Sequence, residues 1–346
     1  MNKAEKSPRL LKFKISSNIA SMNDKLGDFS GLTPDIIAEC LKQAFGIETC
    51  GLINYMPSYI NRVYEVADEE ENRYIIKFYR PGRWSEDAIM DEHDLIFDCK
   101  DAEIPVVAPI LTEDGSSLCS YAGYFFALFE KKSGRLFETN NSEDYLRLGR
   151  LIGRLHAVSS QTMPEYRISM KPEVWKNKLL GRLLNGSLIT PGEKEDFAKI
   201  AGDILTTCSP LFESFRPIAC HGDCHRGNIL DRGPEGLMLI DFDDMCVAPA
   251  VQDIWMLLPD YASESAREWE LVLEGYNEFF RFDETQFVLI EPLRAMRMLY
   301  YLSWSSMQLN DYNFRRAYPD WGSQAFWEKE IGDFRMQLQI IRESLI

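Results

Sequence analysis

The spacing of apolar positions changes part-way along this chain. Thr33-Pro34-Asp35 reads as a helix start, with Thr33 as the cap and Pro34 in the first turn. Ile36, Ile37, Cys40, Leu41 and Phe45 then recur at helical spacing until Gly46 ends the run. From Leu52 the texture becomes β-branched and aromatic. Val63–Ala67 and Tyr74–Tyr79 predict an antiparallel pair, turned through the polar run Asp68–Asn72. Ser85 to Cys99 predicts a helix with an acidic first turn, Ile104–Pro109 an extended segment, and Tyr124–Phe129 a further strand.

Glu130–Arg135 breaks this pattern, and almost everything beyond it is helical. The strongest helix runs from Asn140 to Ser160, with Tyr145, Leu148, Ile152, Leu155 and Ser159 on one face. Gly149 and Gly153 sit four apart on it, a spacing that lets another backbone approach closely. Further helices are predicted over 173–184, 193–215, 253–258, 264–280, 284–307 and 324–343. One non-helical island interrupts them. Ile229-Leu230 and Leu237–Ile240 flank Arg232-Gly233-Pro234-Glu235-Gly236, which predicts a β-hairpin. These readings give a flexible extension (1–28), a sheet-rich first lobe (29–130) and a helical second lobe (131–346).

Composition changes this picture little: 346 residues, 45% hydrophobic, suit a globular chain of two lobes. Charge excludes more. A net charge of −16 argues against nucleic acid or an anionic membrane as the main partner. No apolar run approaches the ~20 residues of a membrane span, and no signal-peptide core follows the basic N-terminus. A cytoplasmic protein is expected, with its eight scattered cysteines reduced.

The candidate chemistry gathers at the hairpin. The loop before it, Cys220 to Asn228, reads C-H-G-D-C-H-R-G-N, and Asp241 follows the second strand. The hairpin would bring Asn228 near Asp241, with Asp223 close by. A zinc site from Cys220, His221, Cys224 and His225 has suitable residue types, but four ligands crowd into six residues with no second cluster. A Cys–His nucleophile pair would leave Asn228, Asp241 and Lys77 without a role. A Mg·ATP phosphotransferase explains more. Asn228 and Asp241 offer the hard oxygen ligands that Mg²⁺ takes, and Asp223 can accept the hydrogen bond of an acceptor hydroxyl. Lys77, inside the apolar strand Tyr74–Tyr79, is either a solvated lysine on an edge strand or the cation that binds ATP phosphates. Glu92, on the following helix, can hold it.

His221 to Asn228 matches the kinase catalytic-loop pattern H-x-D-x-x-x-x-N, and Ile240-Asp241-Phe242-Asp243 takes the place of the D-F-G segment. With the hairpin between them, they resemble the aminoglycoside phosphotransferase and choline kinase superfamily, which implies an α+β, two-lobed, protein-kinase-like fold. Ser58–Tyr64, Ile76–Trp84, Asp91–His93, Pro105–Pro109, Gly149–His156, Pro249–Leu258 and Ile290–Arg297 extend the likeness to the YihE/RdoA-type bacterial stress response kinases. The resemblance runs from about residue 29 to the C-terminus. It implies a monomeric, cytoplasmic serine/threonine protein kinase of the envelope and oxidative stress response, using ATP and Mg²⁺ on protein hydroxyls. By motif, Asp223 and Asp241 carry catalysis, and Asn228 and Asp241 hold the metal. Ser58 belongs to the loop covering the nucleotide, and Lys77 and Glu92 are the strand lysine and its helix glutamate. Phe129 to Lys131 form the hinge at adenine.

The pattern also departs from kinases. Met56–Arg62 has no glycine, so the Ser58 hydroxyl is expected to replace backbone contacts to phosphate. Eight residues separate Asp244 from Asp253, too few for an ordinary activation loop. His156 reads as a hydrogen-bonded core histidine, His221 as a loop organiser, and Asp253 as a brace accepting loop N–H groups. Asp243 and Asp244 fit a second metal, substrate or a turn cap. Arg294 and Arg297 either meet substrate or are solvated or ion-paired, the commoner case. Nothing marks Cys224 as a redox switch. A kinase of a cationic small alcohol and an ATP-binding pseudokinase are the alternatives.

Overall fold

A computed structural model of the chain describes residues 11–12, 27–58 and 60–345. The expected extension 1–28 therefore lies outside the described residues, apart from residues 11–12 and 27–28. The elements in order are β1 (Leu11–Lys12), α1 (Pro34–Phe45), β2 (Thr49–Met56), β3 (Arg62–Asp68), β4 (Arg73–Phe78), α2 (Glu86–Asp101), β5 (Cys119–Tyr121), β6 (Tyr124–Glu130) and β7 (Arg135–Leu136). Then follow α3 (Ser142–Ser159), α4 (Pro172–Trp175), α5 (Gly181–Leu184), α6 (Lys194–Cys208), β8 (Ile218–Cys220), β9 (Ile229–Asp231), β10 (Leu237–Leu239) and β11 (Cys246–Ala248). The chain closes with α7 (Val251–Trp255), α8 (Ala266–Asn277), α9 (Ile290–Ser306), α10 (Tyr312–Ala317) and α11 (Gln324–Ser344).

Two compact units emerge: residues 1–136 with 230–243, and residues 137–229 with 244–346. In the first, six strands form one sheet in the order β1-β5-β6-β4-β3-β2, antiparallel except where β1 meets β5. Period-2 alternation sorts its side chains onto two faces. Ile76, Phe78, Phe126 and Leu128 pack with Ile37, Cys40 and Leu41 of α1. Tyr79 and Ala127 pack with Ile89 of α2. Both helices start as their residues dictate, with Thr33 and Ser85 accepting bonds from Ile36 N and Ala88 N. Gly46, at φ 66°, closes α1.

The hairpin β9–β10 belongs to this first unit, although it falls among the residues expected in the second lobe. Its ties explain why: β9 pairs with β7, and Leu239 N donates to Pro105 O at 2.9 Å. The unit accordingly extends past Glu130 to Leu136.

In the second unit α3 and α8 lie in close contact. A Cβ on Gly149 would stand 2.0 Å from Val272 O, and one on Gly275 2.2 Å from Leu146 O. Only glycine permits that approach. The capping box of Asn141 and Asp144 starts α3. A second core forms where Phe197 of α6 packs edge-on against Trp327 and Phe334 of α11. The short pair β8–β11 carries the chain into and out of the catalytic loop. These two strands have too few residues to show alternation, and the sequence did not predict them.

Candidate active site

The first unit holds a buried ionic cluster. Lys77 lies on β4, which pairs with both β3 and β6, so the strand is central and the edge-strand reading of this lysine fails. Alternation turns Lys77, like Tyr79, towards α2, where Glu92 is buried. Lys77 Nζ lies 3.2 Å from Glu92 Oε1 and 3.3 Å from both Asp241 Oδ1 and Asp243 Oδ1. It also sits 4.7 Å above the Tyr79 ring. Burial opposes its charge, yet the carboxylates of Asp243, Glu92 and Asp241 prevail and hold its pKa well above the ordinary lysine range.

Asp241 and Asp243 divide their roles by exposure. Asp241 has φ 61°, a left-handed conformation that a non-glycine residue seldom adopts, and its side chain is 54% exposed. Phe242, next in the chain, is buried and anchors the segment. Asp243 is buried as well, ion-paired to Arg83 and Lys77. Asp243 thus serves as a counter-ion to two cations at once. Arg83 stacks on Trp84 at 5.1 Å. The Arg83–Asp243 pair spans 160 residues, and no local spacing announces it.

Ser58 and Lys131, expected from the sequence at the nucleotide, have clear local settings. Ser58 is held by Tyr55, whose hydroxyl donates to Ser58 O at 3.0 Å. Lys131 N donates to Arg73 O at 3.1 Å, and its ammonium meets Glu65 Oε1 at 2.7 Å. Tyr79 N bonds Phe125 O in the same register. Antiparallel alternation therefore turns the backbone groups of Phe129 and Lys131 towards β4, and those of Glu130 away from it.

The second unit carries the loop from Cys220 to Asn228. Asp253 braces it, accepting from His221 N at 2.7 Å and Gly222 N at 2.9 Å. His156 orients this carboxylate: Nε2 lies 3.0 Å from Asp253 Oδ2, and Nδ1 lies 2.8 Å from the Tyr276 hydroxyl. All three residues are buried. Gly222, at φ 82°, could carry no side chain, since a Cβ would stand 2.0 Å from Asp244 O.

Beyond the brace, Asp223 is the half-buried acid of the loop. Arg297 of α9 donates to its Oδ1. Asn228 Nδ2 donates to its backbone O at 2.9 Å and its Oδ2 at 3.3 Å. His225 Nδ1 accepts from Gly227 N at 2.9 Å, which places the ring proton on Nε2, 3.4 Å from Asp223 Oδ2. Burial alone would raise the Asp223 pKa, but His225 and Arg297 overcome it and hold the carboxyl well below the usual range. With its nitrogen committed to Asp223, Asn228 has its amide oxygen left as the atom to offer a cation.

Comparison with known proteins decides what this chemistry belongs to. Residues 56–288 match the phosphotransferase enzyme family. The chain belongs to that family. It is 36% identical over 327 residues to stress response kinase A of Escherichia coli K12, covering 93% of this chain and 97% of that one. Serine/threonine protein kinase RdoA of Salmonella typhimurium LT2 matches equally, at 36% over the same shares. Solved structures share the fold. Amicoumacin kinase hAmiN, in complex with AMP-PNP, Ca²⁺ and Ami, aligns with TM-score 0.69 at 19% identity, over 88% of this chain and 92% of that one. A microcompartment-associated aminopropanol kinase aligns with TM-score 0.64 at 18% identity, over 89% and 97%.

The other readings of this phosphotransferase's loop lose their footing. Among the described residues, the metal-type ligands that cluster are His156, Cys220 and Asp253, whose ring nitrogens and carboxylate are spent on the brace. The zinc set Cys220, His221, Cys224 and His225 does not gather. Cys224 is buried, and burial pushes its thiol pKa well above the ordinary value, which opposes a nucleophile or redox switch there. Among the described residues, no helix is long and apolar enough to cross a membrane.

Proposed function

We propose that this phosphotransferase is an ATP- and magnesium-dependent serine/threonine protein kinase acting in a bacterial stress response. The observation that carries the reading is Lys77, buried on a central strand and held by Glu92 and Asp241. These carboxylates offset its desolvation and keep the ammonium charged, the state that binding a phosphate requires. Lys77 holds the nucleotide phosphates, kept in place by Glu92, while the Ser58 hydroxyl reaches them from the covering loop. The adenine edge meets the backbone near Phe129 to Lys131, through the groups of Glu130 that face away from β4.

Asn228 and Asp241 would hold the magnesium ion. Their donors are one amide and one carboxylate oxygen, the hard ligands this ion takes, and Asp241 presents its carboxylate from a backbone that is already fixed. When bound, the ion neutralises charge on the transferring phosphate. Asp223 accepts the hydrogen bond of the acceptor hydroxyl, aims its oxygen in line, and takes the proton late in transfer. The name of one relative, serine/threonine protein kinase RdoA, favours a protein acceptor. The solved neighbours are named for small acceptors, so a small-alcohol kinase is the second reading.

Incubation with labelled ATP, Mg²⁺ and two acceptor sets, a lysate proteome and a panel of small alcohols, separates these readings. Label on protein Ser or Thr is the expected result. Label confined to a small alcohol would overturn the protein acceptor. Tight ATP binding with no transfer to either set would leave a pseudokinase.

A further inference from the structure

The catalytic carboxylate of this chain has a cation on it. Arg297 donates to Asp223 Oδ1 through Nη2, and its Nη1 lies 3.5 Å from Gly222 O. A guanidinium has five N–H donors in a planar fork, so part of that fork is left for another partner. The Arg297 side chain is 32% exposed, which keeps that part within reach of an arriving molecule. Oδ2 of the same carboxylate is held by Asn228 and lies near the His225 ring. The nearby acids of this unit are engaged elsewhere. Asp253 is buried behind the loop, and Asp244 accepts the Tyr300 hydroxyl at 2.6 Å.

Helix α9 continues this surface. Arg294, Tyr301 and Trp304 lie three, four and seven positions from Arg297, on the same helical face, and none of them is buried. Tyr301 and Trp304 stack with ring centroids 5.5 Å apart. Arg294 lies 4.8 Å from the Trp255 ring and 4.6 Å from the Tyr261 ring. Arg294 is itself paired with Glu291 Oε2 at 3.1 Å, so the row along α9 is one of aromatics and paired cations. An acceptor hydroxyl that reaches Asp223 must bring its neighbouring groups beside Arg297. Asp223 offsets part of the Arg297 charge, so discrimination rests on the N–H donors of the fork that Asp223 leaves uncommitted, which pair with a carboxylate and not with an ammonium group.

We propose that Arg297 sets the charge class of the acceptor: a Ser or Thr flanked by acidic residues is admitted to Asp223, and a cationic alcohol or lysine-flanked hydroxyl is disfavoured. This rests on the kinase reading above and names the substrate class of that same site.

The test uses the full chain with Mg·ATP and four probes: a single-serine peptide flanked by Glu, the same peptide flanked by Lys, a cationic amino alcohol, and an anionic small alcohol that carries a carboxylate. Peptide affinity and kcat/KM are measured for wild type, Arg297→Gln and Arg297→Lys, with melting temperature and nucleotide affinity confirming folding. The Glu peptide is expected to lead by roughly tenfold or more, mainly through KM. Arg297→Gln should bring the ratio close to one, and Arg297→Lys should keep most of it. A wild type that prefers the Lys peptide or the amino alcohol overturns the inference while leaving the kinase reading intact. So does an Arg297→Gln variant that loses turnover on both peptides with the affinity ratio unchanged. If no peptide is phosphorylated but an anionic small alcohol is, in preference to the amino alcohol, the protein-acceptor reading fails and charge selection stands.

Discussion

Lys77 shows how one residue ties stability to function. Its strand is central, its side chain is buried, and three carboxylates surround its ammonium. Replacing it with Met would leave Glu92 and Asp243 buried without it. Lys77→Met should lose about 3–5 kcal/mol in denaturant titrations; wild-type stability would contradict the cluster. The folded pKa lies above that of the unfolded chain. The stabilisation is therefore complete below the unfolded lysine value of about 10.4 and is lost only as pH rises through the higher folded value. The stability gap between wild type and variant should hold from neutral pH to about 10 and narrow beyond. Lys77 stood out as a lysine in an apolar strand, with a solvated edge position as the other reading, and motif order singled out Glu92 and Asp241. Asp243 and Arg297 were visible only as alternatives, since their partners are distant in sequence. Cysteines give a second check. Cys50 is exposed and the other seven are buried. Native alkylation should modify Cys50 alone, and fast labelling of Cys224 would contradict its burial.

Elements were legible where their punctuation was strong. Thr33, Ser85 and Gly46 cap the helices they were expected to cap, because the cap chemistry is local. The glycine spacing of α3 also announced its close neighbour, though it could not say that the neighbour is α8. Gly149→Ala drives a Cβ into Val272 O and should destabilise by ~3 kcal/mol or more. At Gly202 on α6 an added Cβ would meet no atom within 4 Å, so Gly202→Ala should stabilise by about 0.5–1 kcal/mol. Thermal melts of the two variants should move in opposite directions. The six-residue turn of 3-10 helix at Glu284–Leu289, by contrast, was expected to be part of the long helix that begins as α9. Helical periodicity does not distinguish three from 3.6 residues per turn over so short a run. The Asp253 brace spans the loop and α7. Asp253→Asn turns an acceptor towards His156 Nε2 and two loop amides into a partial donor. The amides of His221 and Gly222 should then exchange faster with solvent than in wild type.

At the scale of the molecule, the proposed catalytic set is divided between two compact units. The first has Lys77, Glu92 and Asp241; the second has Asp223 and Asn228. Motif order made this set legible before any fold was known, since hard oxygen ligands and a strand lysine suit one reaction better than zinc or thiol chemistry. The unit to which the hairpin belongs was not legible, because its ties to β7 and Pro105 are long-range. The central claim is that the Asp223 carboxylate receives the acceptor hydroxyl while other residues bind nucleotide. Asp223→Asn keeps the shape and removes the charge. Its phosphoryl transfer from labelled Mg·ATP should fall by roughly 10²–10⁴-fold, with nucleotide affinity largely retained. An Asp223→Asn protein that transfers phosphate at the wild-type rate would contradict it.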